Sequence, residues 1–325
     1  MVPPEFKELT SGAPEPAVAA PRKVFAKVWP WLVALAILGF LFSRIPRQAL
    51  FQAFGAGPWV LLGLYTFGQW LVILLADAYA TSVSLAVAGF REKFSRIVLA
   101  RGATYVVGIF NYALGQGALG VYLQRSGVHS LRAAGLMLFL MIVNLGVLLV
   151  IASCGFFAGG STQMAAVNLT PLFAGLWLVM ILYLAAIGLK PRILQTYQLL
   201  APLWQAGLGG HLRAAAGRLP HMLLLVLAYW GALRLWDVPV PLSQGLSLVP
   251  VVLFVNAVPI TPLGLGATQA AMVLLFAPYV PQPSAEVRAA VVLALALLYY
   301  FFGLVTQALL GLWCFHYLRR RDSPS

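Results

Sequence analysis

From Trp29 to Tyr317 the chain passes through one apolar stretch after another, each closed by a basic residue, a glycine or a proline. About 20 consecutive apolar residues let an α-helix cross a hydrocarbon core of about 30 Å. Lipid offers no hydrogen bonds, so every backbone N–H and C=O must be satisfied within the segment or by the rest of the protein. The runs are apolar all round and too long for the short alternating strands of a membrane barrel. Composition points the same way. Of 325 residues, 62% are hydrophobic and 9% are charged, where soluble domains carry about a quarter charged residues. Mean hydropathy is +0.91. The expected fold class is an all-α polytopic integral membrane protein.

The stretch MVPPEFKELTSGAPEPAVAAP, residues 1–21, is polar and proline-rich and is expected to be a disordered cytoplasmic N-terminus. The apolar run after it has no small-residue cleavage site, so no cleavable signal is expected. Residues 22–318 form the membrane domain, and 319–325, RRRDSPS, a basic cytoplasmic tail. Full spans are expected at about 29–42, 59–80, 131–154, 171–189, 221–236 and 289–317. The mixed basic and apolar stretch 190–219 suits helices lying in the interface.

Two segments do not fit a smooth helix. Residues 97–124 hold Gly115, Gly117 and Gly120; residues 243–280 hold Pro259, Pro262, Gly264 and Gly266. If each crossed the bilayer once, the basic clusters would alternate between sides. If each enters and leaves from one side, all but four of the 21 basic residues (Arg44, Arg47, Arg234 and Arg288) fall inside, as the positive-inside tendency requires. The expectation is therefore six spans and two broken hairpins, re-entrant or full-depth. The hairpins dip from opposite sides, in the pattern of an inverted repeat with its site at the interface. The cytoplasmic membrane of a bacterial cell, with both termini inside, is the expected location.

Few residues could carry chemistry. The net charge of +13 is scattered at helix ends without interleaved aromatics, which excludes a nucleic-acid face and suits anionic headgroups. His129, His211, His221 and His316 form no metal or catalytic motif, and Cys154 and Cys314 form no CxxC pair. Eight acidic residues leave little for acid–base work. No metal, no cofactor and no enzymatic activity are expected. Asp77 is the one carboxylate inside an expected span, and Arg101 enters the first hairpin from the same side, so the two can pair. Asn111, Gln116, Asn144, Asn256, Thr261, Thr268 and Gln269 lie in or beside the breaks. They either line a headgroup pathway or satisfy freed backbone groups. Arg125 and Arg132 follow the first hairpin and either hold a lipid phosphate or only set orientation.

The stretch LGQGALGVYLQRSGVHSLRAAGLMLFLMIVNLGVLL, followed by NAVPITPLGLGATQAAMVLL, resembles the membrane domain of lysylphosphatidylglycerol synthases/flippases in its stand-alone, flippase-like form. The likeness covers about residues 30–317. That family typically reads P-x-x-x-G-[DE]-x-x-R in the first break and P-x-x-P-G-G-x-G-x-x-E near the end. Here Gly117 matches, while Ala118 stands where an acidic residue is usual and Gly120 or Val121 where arginine is. Asn144 falls near the usual aspartate. Pro259, Pro262, Gly264 and Gly266 match the second motif; Leu263 replaces a glycine and Gln269 the glutamate. The soluble synthase domain has no counterpart after residue 317. The resemblance implies transbilayer movement of a phospholipid or polyprenyl-linked glycolipid, not lipid aminoacylation. The alternative is a non-transporting lipid-binding or scaffold protein that assists an envelope-pathway enzyme.

Overall fold

A computed structural model describes residues 21–110, 112–160, 163–164, 167–190, 196–258, 261 and 264–322. Its helices are α1 (Pro21–Arg44), α2 (Arg47–Ala56), α3 (Trp59–Val87), α4 (Phe94–Gly108), α5 (Tyr112–Arg125), α6 (Ser130–Phe157), α7 (Thr170–Leu189), α8 (Ala201–Leu235), α9 (Leu242–Ala257), α10 (Ala267–Phe276) and α11 (Ala285–Asp322). The one extended pairing among the described residues is a two-residue antiparallel bridge, Gln163–Met164 with Val167–Asn168. Among the described residues five helices are long and apolar enough to cross a membrane: α3, α6, α7, α8 and α11. The α1–α2 pair, taken as one span, makes six; it is bent by 93° at Pro46, whose ring cannot continue a helix. The chain is thus an all-α polytopic protein built for a membrane.

The outer faces of the spans carry large apolar side chains where a soluble protein would be polar, for example Leu64, Leu75, Val179 and Leu182. Burial sorts the spans by position. In the most apolar window of α6, 61% is buried against other helices, and in that of α7 only 11%. So α6 is the central post and α7 a peripheral strut.

The hairpin arms are short. With 15, 14, 16 and 10 residues, α4, α5, α9 and α10 reach about 22, 21, 24 and 15 Å at about 1.5 Å per residue. None alone matches a core of about 30 Å. Their sidedness follows from packing. A Cβ on Gly89, after α3, would lie 3.3 Å from Nη2 of Arg132, near the start of α6. The α4–α5 hairpin between them therefore leaves from and returns to one end of the bundle. At the other end Gly155 packs on Ser247 and Gly57 on Trp236. Helix α11 also begins there, since Gly63 of α3 meets Phe302 while Gly102 of α4 meets Cys314 further along. The α9–α10 hairpin thus belongs to that second end, and the two hairpins are opposed.

Three details differ from the sequence-based expectation. The first hairpin turns at Ile109 and Phe110, before residue 111, and Gly115, Gly117 and Gly120 all lie inside α5. Gly115 serves close approach instead: a Cβ there would sit 2.9 Å from the Cα of Gly108, on the facing arm. Gly120 faces Met137 of α6, and Gly117 has open space. In the second hairpin Gly264 and Gly266 do occupy the turn, at φ +66° and +84°, where side-chain-bearing residues are disfavoured. Pro259 and Pro262 lie outside the described residues.

Second, residues 208–219 run into the expected span at 221–236 as one helix. Helix α8 is interrupted at Gly207 (φ 57°, ψ −176°) and then runs through Pro220 to Leu235. The cause is a face of small residues. Gly210 meets Val87 and Gly217 meets Val83 of α3, with Ala214 fully buried between them. Small residues let helices approach closely in lipid, and that approach takes the flanking polar residues inside with it. Third, α11 continues to Asp322, so Arg319, Arg320 and Arg321 are helical.

Candidate functional site

The α8–α3 contact brings Arg218 to Asp77. Asp77 is 1% exposed and Arg218 is 1% exposed, so both charges are buried. Arg218 Nη1 donates to Asp77 Oδ1 at 2.6 Å. Arg101 donates from Nε and Nη2 to Asp77 Oδ2 at 2.8 and 2.5 Å. A single carboxylate therefore bridges two guanidiniums, each from a different helix. Tyr105 donates its hydroxyl to Oδ2 at 3.4 Å and Thr81 to Oδ1 at 3.5 Å. Arg218 Nη2 also donates to Thr81 Oγ1 at 3.3 Å. Arg218 Nη1 approaches Nδ1 of His221 at 3.2 Å. A guanidinium only donates, so this Nδ1 accepts, and the imidazole is neutral with its proton on Nε2. That Nε2 lies 3.9 Å from Asp77 Oδ1.

The cluster forms one wall of a cavity of about 500 Å³. The hairpin tips form other walls: Gly108, Gly115 and Gln116 from the first, Asn256, Thr261 and Gly264 from the second. Asn144, near the centre of α6, and Gln307 of α11 add amide groups. Tyr105, Tyr229, Tyr299 and Tyr300 add hydroxyls, and apolar side chains such as Trp70, Met141, Met222 and Phe254 cover much of the remaining wall. Asp77 lies ten residues before the end of α3, or about 15 Å along its axis. A second cavity of about 250 Å³ lies between α6, α7 and α9, with a lining almost wholly apolar. The two share Leu145, Leu148 and Phe254 as walls. A chamber with one charged, amide-bearing wall thus adjoins an almost wholly apolar one, both against the middle of α6.

The structure gathers Asp77, Arg101, Gln116, Asn144, Asn256 and Thr261 around one cavity. Asn111 lies outside the described residues. Gln269 does not face the cavity; it is buried, and its Oε1 accepts from the Gly266 N–H at 2.7 Å to cap α10. Thr268 donates to Asn256 Oδ1 at 3.4 Å across the second turn. Arg125 and Arg132 stand away from the cavity at the basic end, and Arg132 donates to Gln205 at 3.0 Å.

Arg218, His221, Thr81 and Tyr105 were missed. For Arg218 and His221 a signal existed. They follow Gly210, Ala214 and Gly217 at helical spacing, so the small face and the two polar residues form one stripe. Hydropathy averaging hides such a stripe, because an arginine reads as the end of a span.

Among the described residues no group of three or more His, Cys, Asp or Glu could hold a metal ion. Compared with known proteins, the chain matches no family model, no curated protein and no solved structure.

Proposed function

We propose that the protein moves a lipid with a polar headgroup across the bilayer, the headgroup passing through the polar cavity while a hydrocarbon chain occupies the apolar one. The observation that carries this reading is the pair of adjoining cavities against the middle of α6, one between the two opposed hairpins with a charged and amide-bearing wall, the other lined by hydrocarbon. Broken helices at a midplane site are the recurring construction of membrane transporters. Their opposed entry lets either hairpin open the cavity to its own side. The phospholipids and polyprenyl-linked glycolipids implied by the resemblance to flippase-like domains meet this chemistry. A bacterial-type inner membrane and an envelope pathway belong to the same proposal. The chain holds no nucleotide-binding loop, so the movement would be passive or driven by an ion gradient.

The test is reconstitution. Purified protein in vesicles with a tail-labelled fluorescent phosphatidylglycerol should raise the fraction of label bleached by external dithionite above one half. Leu148→Trp, which thickens the wall shared by both cavities, should slow the exchange severalfold. Wild-type vesicles that bleach no further than protein-free vesicles would overturn transport and leave the non-transporting, lipid-binding scaffold as the reading to pursue.

A further inference from the structure

Two guanidiniums against one carboxylate leave one positive charge in excess at the cavity wall. His221 does not alter the balance, since its ring accepts from Arg218 and is neutral. The other acidic residues among the described ones cannot compensate it. Glu92 precedes α4 and pairs with Arg96 at 3.8 Å, Asp237 follows α8, and Glu286 and Asp322 sit at the two ends of α11. Nor do the helix ends decide the sign. The first turn of α5 and the approach to α10 bring positive ends to the cavity, but the last turns of α4 and α9 bring negative ones. Among the described residues the excess therefore comes from side chains.

We infer that the cavity is an anion site that takes a phosphate-ester group, with Arg101 as the residue that holds it; this rests on the lipid reading above and names the charge of the headgroup. Arg101 lines the cavity, whereas Arg218 stands behind Asp77 and does not. The Nε–Nη2 edge of Arg101 faces Asp77, and its Nη1 donates to Gln116 Oε1 at 3.5 Å, so a phosphate would meet the Nη1–Nη2 end, where a guanidinium matches paired oxygens better than a point charge does. Around it Gln116, Asn144, Asn256, Thr261 and Gln307 supply neutral polar groups for the remaining oxygens or for a polyol. Thr261 is buried, and its hydroxyl has no partner among the described residues. The cavity volume of about 500 Å³ falls among sites of about 300–1,000 Å³ that hold whole small molecules. It is roomier than a bare phosphate needs and suits a phosphate carrying an alcohol. Asp77 has two parts here: it keeps both arginines in place, and it competes with the phosphate for Arg101, so the bound anion can leave.

Isothermal titration calorimetry on the purified chain in a neutral maltoside detergent tests this with four probes: dioctanoyl phosphatidylglycerol, dioctanoyl phosphatidylcholine, glycerol 3-phosphate and inorganic phosphate. The phosphatidylglycerol should bind about tenfold or more tighter than the zwitterionic phosphatidylcholine, the scale of one charge-assisted contact. Arg101→Gln should abolish that preference, and Arg101→Lys should retain it at reduced affinity. Arg101→Gln leaves the neutral Asp77–Arg218 pair at 2.6 Å, so it keeps a balanced core. If it does not yield monodisperse protein, the drop in Arg101→Lys carries the test. Tighter binding of phosphatidylglycerol than of the two water-soluble phosphates assigns the site to a lipid headgroup. The reverse order assigns it to a free phosphate ester and still supports the inference. Equal binding of both lipids, no binding of any probe, or an unchanged preference in Arg101→Gln overturns it. Binding is read without transport, so vesicle exchange that ignores headgroup charge would sink this inference alone. Anion binding without exchange would sink transport alone.

Discussion

Asp77→Ala removes both ion pairs of the buried cluster at once, to Arg101 at 2.5 Å and to Arg218 at 2.6 Å. With charge centres about 4 Å apart and an effective dielectric of about 20, each pair is worth about 4 kcal/mol before desolvation. Desolvation takes back much of that, but removing one partner from a buried pair still costs about 3–5 kcal/mol, because the other charge stays behind. Here two charges stay behind. Arg101→Gln removes a single pair and leaves Asp77 with Arg218 as a neutral unit. Arg101 gives Asp77 two hydrogen bonds; with the glutamine amide replacing one, the expected cost is about 1.5–3 kcal/mol, that of one hydrogen bond to a charged group. The order therefore decides the matter: Asp77→Ala must be worse than Arg101→Gln. A convenient reporter is built in. Cys314 is fully buried against Gly102, the residue after Arg101, while Cys154 is exposed. In a Cys154→Ala background, labelling of Cys314 by a thiol dye during unfolding by sodium dodecyl sulfate in mixed micelles follows the loosening of α4 from α11. If Asp77→Ala costs no more than Arg101→Gln, Asp77 is not the hub of the cluster and the charge balance drawn around it is wrong.

Two further outcomes are expected. Gly102→Ala would drive a Cβ into the Cys314 thiol; it should destabilise by about 1–3 kcal/mol as an overpacked core does, and adding Cys314→Ala should recover part of the loss, because the residue-314 Cβ stays 2.8 Å away. Single cysteines at Gly127 and Ala158, in a background without Cys154 and Cys314, should label from opposite sides of the membrane. They flank the 28 residues of α6, about 42 Å of helix, and labelling of both from one side would refute α6 as a span.

The sequence by itself determined the solvent of this protein and, from that, its secondary structure. Runs of apolar residues with 9% charge can only be helices in lipid, because only helices satisfy their own backbone there. The distribution of arginine and lysine was enough to predict that residues 97–124 and 243–280 turn back, and Arg132 beside Gly89 bears that out for the first of them. The Asp77–Arg101 pair was legible too, since a carboxylate inside a span needs a partner and Arg101 enters the next segment from the same side.

What the tertiary structure alone decided depends on distance along the chain. Arg218 is 141 residues from Asp77, and no local pattern says which span α8 packs against. It took the small face of Gly210, Ala214 and Gly217 meeting Val83 and Val87 to bury that arginine and convert a simple pair into a cluster with excess charge. The turn of the first hairpin moved for a related reason. Glycine inside α5 costs about 1 kcal/mol in helix propensity, and the close approach of Gly115 to Gly108 that it permits offsets this, so Gly115 and Gly120 mark contact where the sequence suggested a break. Gln269 looked like a site residue by its place in the second motif, yet the nearest unsatisfied group was the Gly266 N–H, which it caps. Propensity and hydropathy are local sums. A cavity is the space left between helices, and its charge is set by which of them come to touch.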